Sequence, residues 1–315
     1  MCRIDEIGQV TTAFNGMTKN LADLVCCIAI FFFTMFEIFR GLQGYKKVWY
    51  NLDSKCQSFN QRGMVMKIRH LRHATFHLHI QGVTLLVDPV LSPAAAMTPI
   101  DNSPNQRRNP LVELPVSVEE VMTADGCLLT HTHRDHFDTA AGEQLPKALP
   151  VFCQPEDRDK LHLLGFTAVQ PVDPVITWRN IELIRTGGQH GTGEIGRKMA
   201  PVSGYVLKAA TEPTLYIAGD TVWCPEVAET LSIHKPEVIV LYGGAARFNQ
   251  GEPITMGKED IFRVCQHAPA AKVVVLHMEA INHCLLTRAE LNEFIQQERL
   301  GGRVRVPADG QWLDF

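Results

Sequence analysis

The chain has no C-x-x-C pair, which removes the zinc-ribbon and thioredoxin-like readings of its nine cysteines. An odd number of thiols without such spacing fits a reducing compartment, so a cytoplasmic protein is expected. It has no basic surplus: 30 Lys and Arg stand against 34 Asp and Glu, for a formal net charge of -4. That balance gives no electrostatic footprint for nucleic acid, which is not expected as a partner. Internal repeats and low-complexity tracts are lacking too, which excludes solenoids and disordered linkers. What remains, 315 residues at 45% hydrophobic and 20% charged, suits a globular chain with a sizeable core.

The first 63 residues lack two residue types that the rest uses freely. They hold none of the 18 prolines and none of the 13 histidines, yet seven of the 15 phenylalanines and four of the nine cysteines. Leu24–Phe36 is apolar apart from Thr34, but shorter than the roughly 20 residues a membrane span requires. Extending it over residues 21–39 reaches that length only by burying Asp23 and Glu37, a costly step. A signal peptide fits poorly as well, because Asp5 and Glu6 offset Arg3 and Lys19 and no small-x-small site follows. Three readings stand for this extension. It is a membrane anchor with Arg40, Lys46 and Lys47 on the cytoplasmic side, a helix packed on the domain behind it, or a non-native start upstream of Met64 and Met66. Membrane contact is expected only through residues 21–39, and the functional domain over residues 64–315.

From Met64 onward, strand-like and helix-like runs alternate. Lys67–Ile80 reads as a strand, Gln81-Gly82 as a tight turn, and Val83–Val87 as the partner strand ending at Asp88-Pro89. A long Pro-, Asn- and Arg-rich loop follows over residues 92–115. Ser117-Val118-Glu119-Glu120 opens a short helix as a capping box. Strands are then expected at residues 127–130 and 151–153, with helices at 138–147 and 155–164. The second half gives strands at 181–185, 204–207, 214–218, 238–242 and 272–276, and helices at 225–233, 258–267 and 288–298. Two β-rich halves carrying helices predict an α/β protein with sheets packed face to face and helices outside.

The chemistry concentrates in His131-Thr132-His133-Arg134-Asp135-His136, directly after the apolar strand 127–130. Four metal-capable side chains in six residues need a positive charge to offset their desolvation and mutual repulsion. Three more candidates end other strands: His190 in Gly187-Gly188-Gln189-His190-Gly191, Asp220 in Ala218-Gly219-Asp220-Thr221, and His277 after Val273–Leu276. His283, six residues on, competes with His277 for the same role. Asp88 reads either as a carboxylate orienting a ligand histidine or as an ordinary Asp-Pro turn. His70, His73, His77 and His79 read as partly exposed or hydrogen-bonded strand residues, with a surface metal or substrate contact the alternative, and Cys224 as a packed thiol.

The order H-x-H-x-D-H, then His, then Asp, then His resembles the metallo-β-lactamase superfamily over essentially all of residues 64–315. The Gly-Asp-Thr and the early hairpin ending in Asp88-Pro89 look most like the branch of ascorbate-6-phosphate lactonase and N-acyl-phosphatidylethanolamine phospholipase D. The resemblance implies a four-layer αββα sandwich with two metals at the edge between the sheets. One would take His131, His133 and His190, the other Asp135, His136 and His277, with Asp220 bridging. His133 matters, because the oxygen-reducing di-iron members carry a glutamate there; the resemblance therefore sides with hydrolases.

Imidazole and carboxylate ligands without thiolates suit Zn²⁺, Mn²⁺ or Fe²⁺, with zinc the first expectation. Two such ions hold a bridging hydroxide at neutral pH, oriented here by Asp135 and Asp220, with His283 the candidate leaving-group acid. Arg134, Arg185, Arg197 and Arg288 crowd these positions in sequence, and Arg107, Arg108 and Arg247 add to them. Arginine forks suit phosphate or carboxylate, so a small anionic ester, lactone or phosphoester is the expected substrate. Tyr205, Trp223 and Phe248 are candidate pocket walls. A membrane-associated phospholipase D-type phosphodiesterase and a non-catalytic metal-binding or sensing protein are the alternatives.

Overall fold

Val238-Ile239-Val240-Leu241-Tyr242 is apolar at every position because both faces of its strand are covered. Val240 and Tyr242 face the core between two sheets, while Ile239 and Leu241 face an outer helical layer. The structure, a computed structural model, describes residues 66–315, which belong to one unit. The readings for residues 1–63, the segment 21–39 included, lie outside the described residues.

The strands are β1 (Lys67–Arg72), β2 (Thr75–Ile80), β3 (Val83–Val87), β4 (Gly126–Leu128), β5 (Val151–Cys153), β6 (Val169–Pro171) and β7 (Val175–Trp178). Then come β8 (Ile181–Thr186), β9 (Gly204–Lys208), β10 (Leu215–Ile217), β11 (Val238–Tyr242), β12 (Lys272–Leu276), β13 (Val304–Arg305) and β14 (Trp312–Asp314). They form two seven-stranded sheets, ordered β14-β1-β2-β3-β4-β5-β6 and β13-β12-β11-β10-β9-β8-β7. Each is antiparallel in one half and parallel in the other. Phe76, Leu78 and Leu85 of the first sheet meet Leu207, Ile217 and Val240 of the second in the central core. Outside the first sheet, Leu86, Cys127 and Val151 pack on Ala141, Leu145 and Leu161 from helices Thr139–Gln144 and Arg158–Leu163 and their flanks. Outside the second, Ile239 and Val273 pack on Val227, Ile261 and Leu291 from helices Pro225–His234, Lys258–His267 and Arg288–Gln297. Helix, sheet, sheet, helix: this is the four-layer αββα sandwich.

Two local expectations need correction. Lys67–Ile80 is not one strand but the hairpin β1–β2, turning at His73-Ala74, where His73 sits at φ 58°. No Gly, Pro, Asn or Asp marks that turn, but histidine tolerates the left-handed region better than most residues. The Ser117 cap forms with only half its box. Ser117 Oγ accepts from the Glu120 amide, while Glu120 is drawn away to Arg69 at 2.6 Å.

Candidate metal centre

Six strands place the site. Within the first sheet β1, β3 and β4 run in one direction, and within the second β8, β10 and β12 do. Their carboxyl ends are followed by His73, Asp88, His131–His136, His190, Asp220 and His277. Ligand sites in open α/β sheets gather at such ends. The turn after β10 requires glycine: Gly219 has φ +70°, and a Cβ there would strike the Ser203 carbonyl. That tight turn sends Asp220 into the gap between the sheets.

Three groups of donor atoms lie within 4.8 Å of one another: His131, His133 and His190; His73, Asp135, His136 and His277; and His131, His136 and Asp220. Asp220 stands between the first two groups. Its Oδ2 lies 3.2 Å from His136 Nε2, 3.4 Å from His190 Nε2 and 4.0 Å from His131 Nε2, and its Oδ1 lies 3.3 Å from His277 Nε2. The structure thus brings together all seven sequence-level ligand candidates. His283 is not among these groups; it lies near them, its Nδ1 buried without a partner and its ring 6.3 Å from that of Phe248.

Asp88, fully buried at φ 43°, fixes the orientation of one candidate ligand, His136. It accepts from the Thr130 amide at 2.8 Å, the Thr130 hydroxyl at 2.7 Å and the Tyr242 hydroxyl at 2.8 Å, and pairs with His136 Nδ1 at 2.9 Å. Holding Nδ1 leaves Nε2 directed at Asp220, the second-layer arrangement common to metal-binding histidines.

The electrostatics call for a cation. Burial pushes His131 and His277 well below the ordinary imidazole range and His73 down to about 4. For Asp135 and Asp220 burial works the other way, yet the surrounding imidazoles, His136 foremost for Asp135 and His277 for Asp220, hold both well below the carboxylate range. His136 is pushed up despite its burial, by Asp220 and Asp135. Without a metal, a proton on His136 is what the two carboxylates attract. Imidazole nitrogens also converge on one another, His136 Nε2 on His277 Nε2 at 3.2 Å and His131 Nε2 on His133 Nδ1 at 2.9 Å. Asp220 Oδ1 and both His73 nitrogens are buried without a hydrogen-bond partner. Converging lone pairs, two ionised carboxylates and orphaned donor atoms fit divalent metal ions.

His73 is the site residue that sequence reasoning missed, since it was read as one of four strand histidines. The other three do behave structurally. His70 bonds the carbonyls of Ala308 and His73, His77 that of Val121, and His79 the Thr84 hydroxyl. Recognising His73 required seeing the turn. Four of the seven arginines, by contrast, are drawn into the scaffold: Arg134 to Thr98 and Pro99, Arg108 to Ala95 and Ala96, Arg185 to Asp173, and Arg288 to Glu279 and Asp309; Arg107, Arg197 and Arg247 are exposed. Tyr205 lies in the inter-sheet core and Trp223 packs at a tilt on His267, ring centroids 4.5 Å apart, leaving Phe248 as the candidate aromatic beside the site.

Comparison with known proteins agrees with this geometry. The family model described as the β-lactamase superfamily domain matches residues 84–278. The UPF0173 protein YddR of Bacillus subtilis is 36% identical over 254 residues, 79% of this chain and 100% of its own length. A UPF0173 metal-dependent hydrolase of Azorhizobium caulinodans is 28% identical over 67% of this chain and 84% of its own. Among solved structures, the isothiocyanate hydrolase from Delia radicum gut bacteria matches with TM-score 0.77 and 38% identity, covering 79% of this chain and 99% of that one. A possible metal-dependent hydrolase from Veillonella parvula matches with TM-score 0.78 and 33% identity, over 80% and 100%. The chain belongs to the metallo-β-lactamase superfamily and, within it, to the UPF0173 family of metal-dependent hydrolases.

Proposed function

We propose that this hydrolase holds two divalent ions, zinc first among them, and acts on a small uncharged electrophile with an apolar substituent, of the isothiocyanate type. One observation carries the substrate class. Met97, Ile100, Ile195, Met199 and Phe248 pack over Ile254, whose carbonyl pairs with His190 Nδ1 at 2.9 Å. An apolar wall therefore adjoins the ligand set, and four of the seven candidate arginines are engaged in the scaffold. The isothiocyanate hydrolase that this chain resembles at 38% identity supports the same class.

Held by these residues, such ions would supply a nucleophilic hydroxide at neutral pH and would polarise the group attacked. The chain's own residues do the rest. Asp135 and Asp220 orient the attacking oxygen, the apolar wall excludes bulk water, and His283 hands a proton to the leaving atom. For an isothiocyanate, water oxygen bonds to the central carbon and the carbon–nitrogen bond breaks. Both protons end on nitrogen, and an amine and carbonyl sulfide leave.

A second reading, the anionic ester, lactone or phosphoester, draws on a cavity of about 760 Å³ beside His133, lined by Arg134, Lys147, Lys160, Phe137 and Leu164 among others. Its ammonium groups are partly engaged already, Lys160 on the Thr132 carbonyl at 2.8 Å and Lys147 over the Phe166 ring at 4.4 Å. A phospholipase D-type action at a membrane would need residues 21–39; among the described residues no helix is long and apolar enough to cross a membrane. A cytoplasmic setting is supported by five free, buried cysteines among the described residues.

The test is hydrolysis by the full chain of an alkyl isothiocyanate, a neutral lactone, a phosphorylated lactone and a phosphodiester, beside Asp220→Ala and chelator-treated protein. Turnover of the isothiocyanate, lost in both controls, is the expected result. Turnover confined to the charged substrates would replace the first reading by the second. No turnover by protein carrying two ions would favour a sensing role.

A further inference from the structure

The two metal positions do not have the same number of protein donors, and His73 makes the difference. Its side chain is 1% exposed, and neither ring nitrogen has a hydrogen-bond partner. Nε2 lies 3.5 Å from Asp135 Oδ2, and the ring packs on that of His277 with centroids 3.6 Å apart. The backbone is pinned, and burial and packing on His277 confine the ring. The His73 carbonyl accepts from the His277 amide at 2.9 Å and faces His70 Nε2 at 3.1 Å. A buried imidazole whose nitrogens make no hydrogen bond is costly, and a left-handed non-glycine backbone adds to that cost. A merely structural histidine would have no reason to accept both.

We propose that His73 is a fourth protein ligand of the ion held by Asp135, His136 and His277, which closes that position. The position at His131, His133 and His190 keeps three, before Asp220 is counted at either. Closed tetrahedral sets characterise structural metals, whereas three protein ligands leave room for water or substrate. The two positions accordingly divide the work: the His73 side anchors, and the open side receives substrate. That side is also where His190 meets the Ile254 wall and His133 borders the cavity.

This inference rests on the two-metal reading, and metal content separates the two. Native protein, His73→Ala, His73→Gln and His190→Ala are stripped with chelator, titrated with Co²⁺ and Zn²⁺, and followed by elemental analysis, cobalt absorbance and thermal melting. Native protein should take up two ions. His73→Ala and His73→Gln should weaken one of them by at least about tenfold, and the cobalt spectrum should lose the band belonging to that ion. His190→Ala should weaken the other ion and change the other band. In chelator, His73→Gln should melt no lower than native, while its gain on adding metal shrinks. Two ions bound with native affinity and spectrum by both His73 variants would overturn the assignment. A single ion in native protein would overturn the two-metal reading itself, and this inference with it.

Discussion

The two sheets are built alike, each with a parallel and an antiparallel half, yet they furnish the site differently. The first contributes a dense loop, four donors within His131–His136, plus His73 from a hairpin turn. The second contributes single residues, His190, Asp220 and His277, each at the end of a different strand. A dense loop holds its donors by local backbone geometry, as where His136 and Phe137 amides both turn back to the His133 carbonyl at 2.9 Å. Single residues are brought together by their strands' register and by bonds to distant segments, His190 to the Ile254 carbonyl and His277 to the His73 carbonyl, so the second sheet's contribution depends on the whole sandwich being assembled.

The largest test of that difference sets Asp220→Ala against His133→Ala. Asp220 faces donors of both groups, whereas His133 belongs to one. Elemental analysis should find Asp220→Ala depleted of both ions, with activity down by more than about 100-fold; His133→Ala should keep one ion. Equal metal loss in the two variants would show that the groups do not act as separate positions. Next in size is Asp88→Asn, which keeps the shape but removes the charge that accepts from Thr130 and Tyr242 and pairs with His136. Metal affinity should fall about 10–100-fold, and urea denaturation should show a loss of a few kcal/mol, since a hydrogen bond to a charged group is worth about 1.5–3 kcal/mol. Unchanged metal affinity would reduce Asp88 to a scaffold carboxylate.

Legibility in the sequence follows the same division. The H-x-H-x-D-H loop is visible because its donors are adjacent, and His190, Asp220 and His277 because each stands at or just past a strand's end, the first two beside glycines. The covered strands β5, β11 and β12 match their expected bounds, as does helix Lys258–His267. The strands left unassigned, β6, β7, β13 and β14, are the four sheet edges. They run two to four residues, and their exposure pattern, as in β7 with alternate positions open to solvent, leaves too few buried side chains to make a period. His73 was hidden for a related reason. The hairpin it turns carries no turn residue, and its apolar positions Ile68, Phe76, Leu78 and Ile80 keep one parity straight through the bend.

Asn282→Ala probes the connection between the second sheet's last candidate ligand, His277, and the long loop. Asn282 Oδ1 accepts from the Ile100 amide at 2.9 Å and Asn109 Nδ2 at 2.8 Å, and its Nδ2 donates to Ser103 Oγ at 2.6 Å. Those bonds hold Ile100 against the apolar wall. The substitution should raise KM several-fold with little change in kcat, at a stability cost of about 1–3 kcal/mol. A fall in kcat alone would mean that Asn282 acts through its neighbour His283 instead. Smaller still is Asp157→Asn, beneath the dense loop. Asp157 accepts from Thr132 Oγ1 at 2.5 Å, but its other oxygen is buried and unpartnered, and burial raises its carboxyl above the usual range. A raised carboxylic acid contributes stability that is present at low pH and lost as pH rises through its folded value. Asp157→Asn should therefore melt higher than native at pH 7, and that advantage should vanish near pH 3. A variant less stable at both values would make the Thr132 bond the dominant effect.

The smallest effect is expected inside the motif itself. Arg134 stands between two ligands in sequence, yet its guanidinium is exposed and bonded to Thr98 Oγ1 at 2.7 Å and the Pro99 carbonyl at 2.5 Å. Adjacency in the dense loop thus does not make a residue part of the centre, because the side chain at 134 points to the long loop while 133 and 135 point inward. An exposed arginine with neutral partners contributes well under about 1 kcal/mol, and an uncharged substrate gives it no role in binding. Arg134→Ala should leave metal content unchanged and KM for an isothiocyanate within about twofold of native, the scale of a few tenths of a kcal/mol. The same variant assayed on a phosphorylated lactone is the sharper arm. A large rise in KM there, beside none for the isothiocyanate, would mean that the cavity beside His133 binds anions and that the first sheet supplies a substrate contact as well as metal ligands.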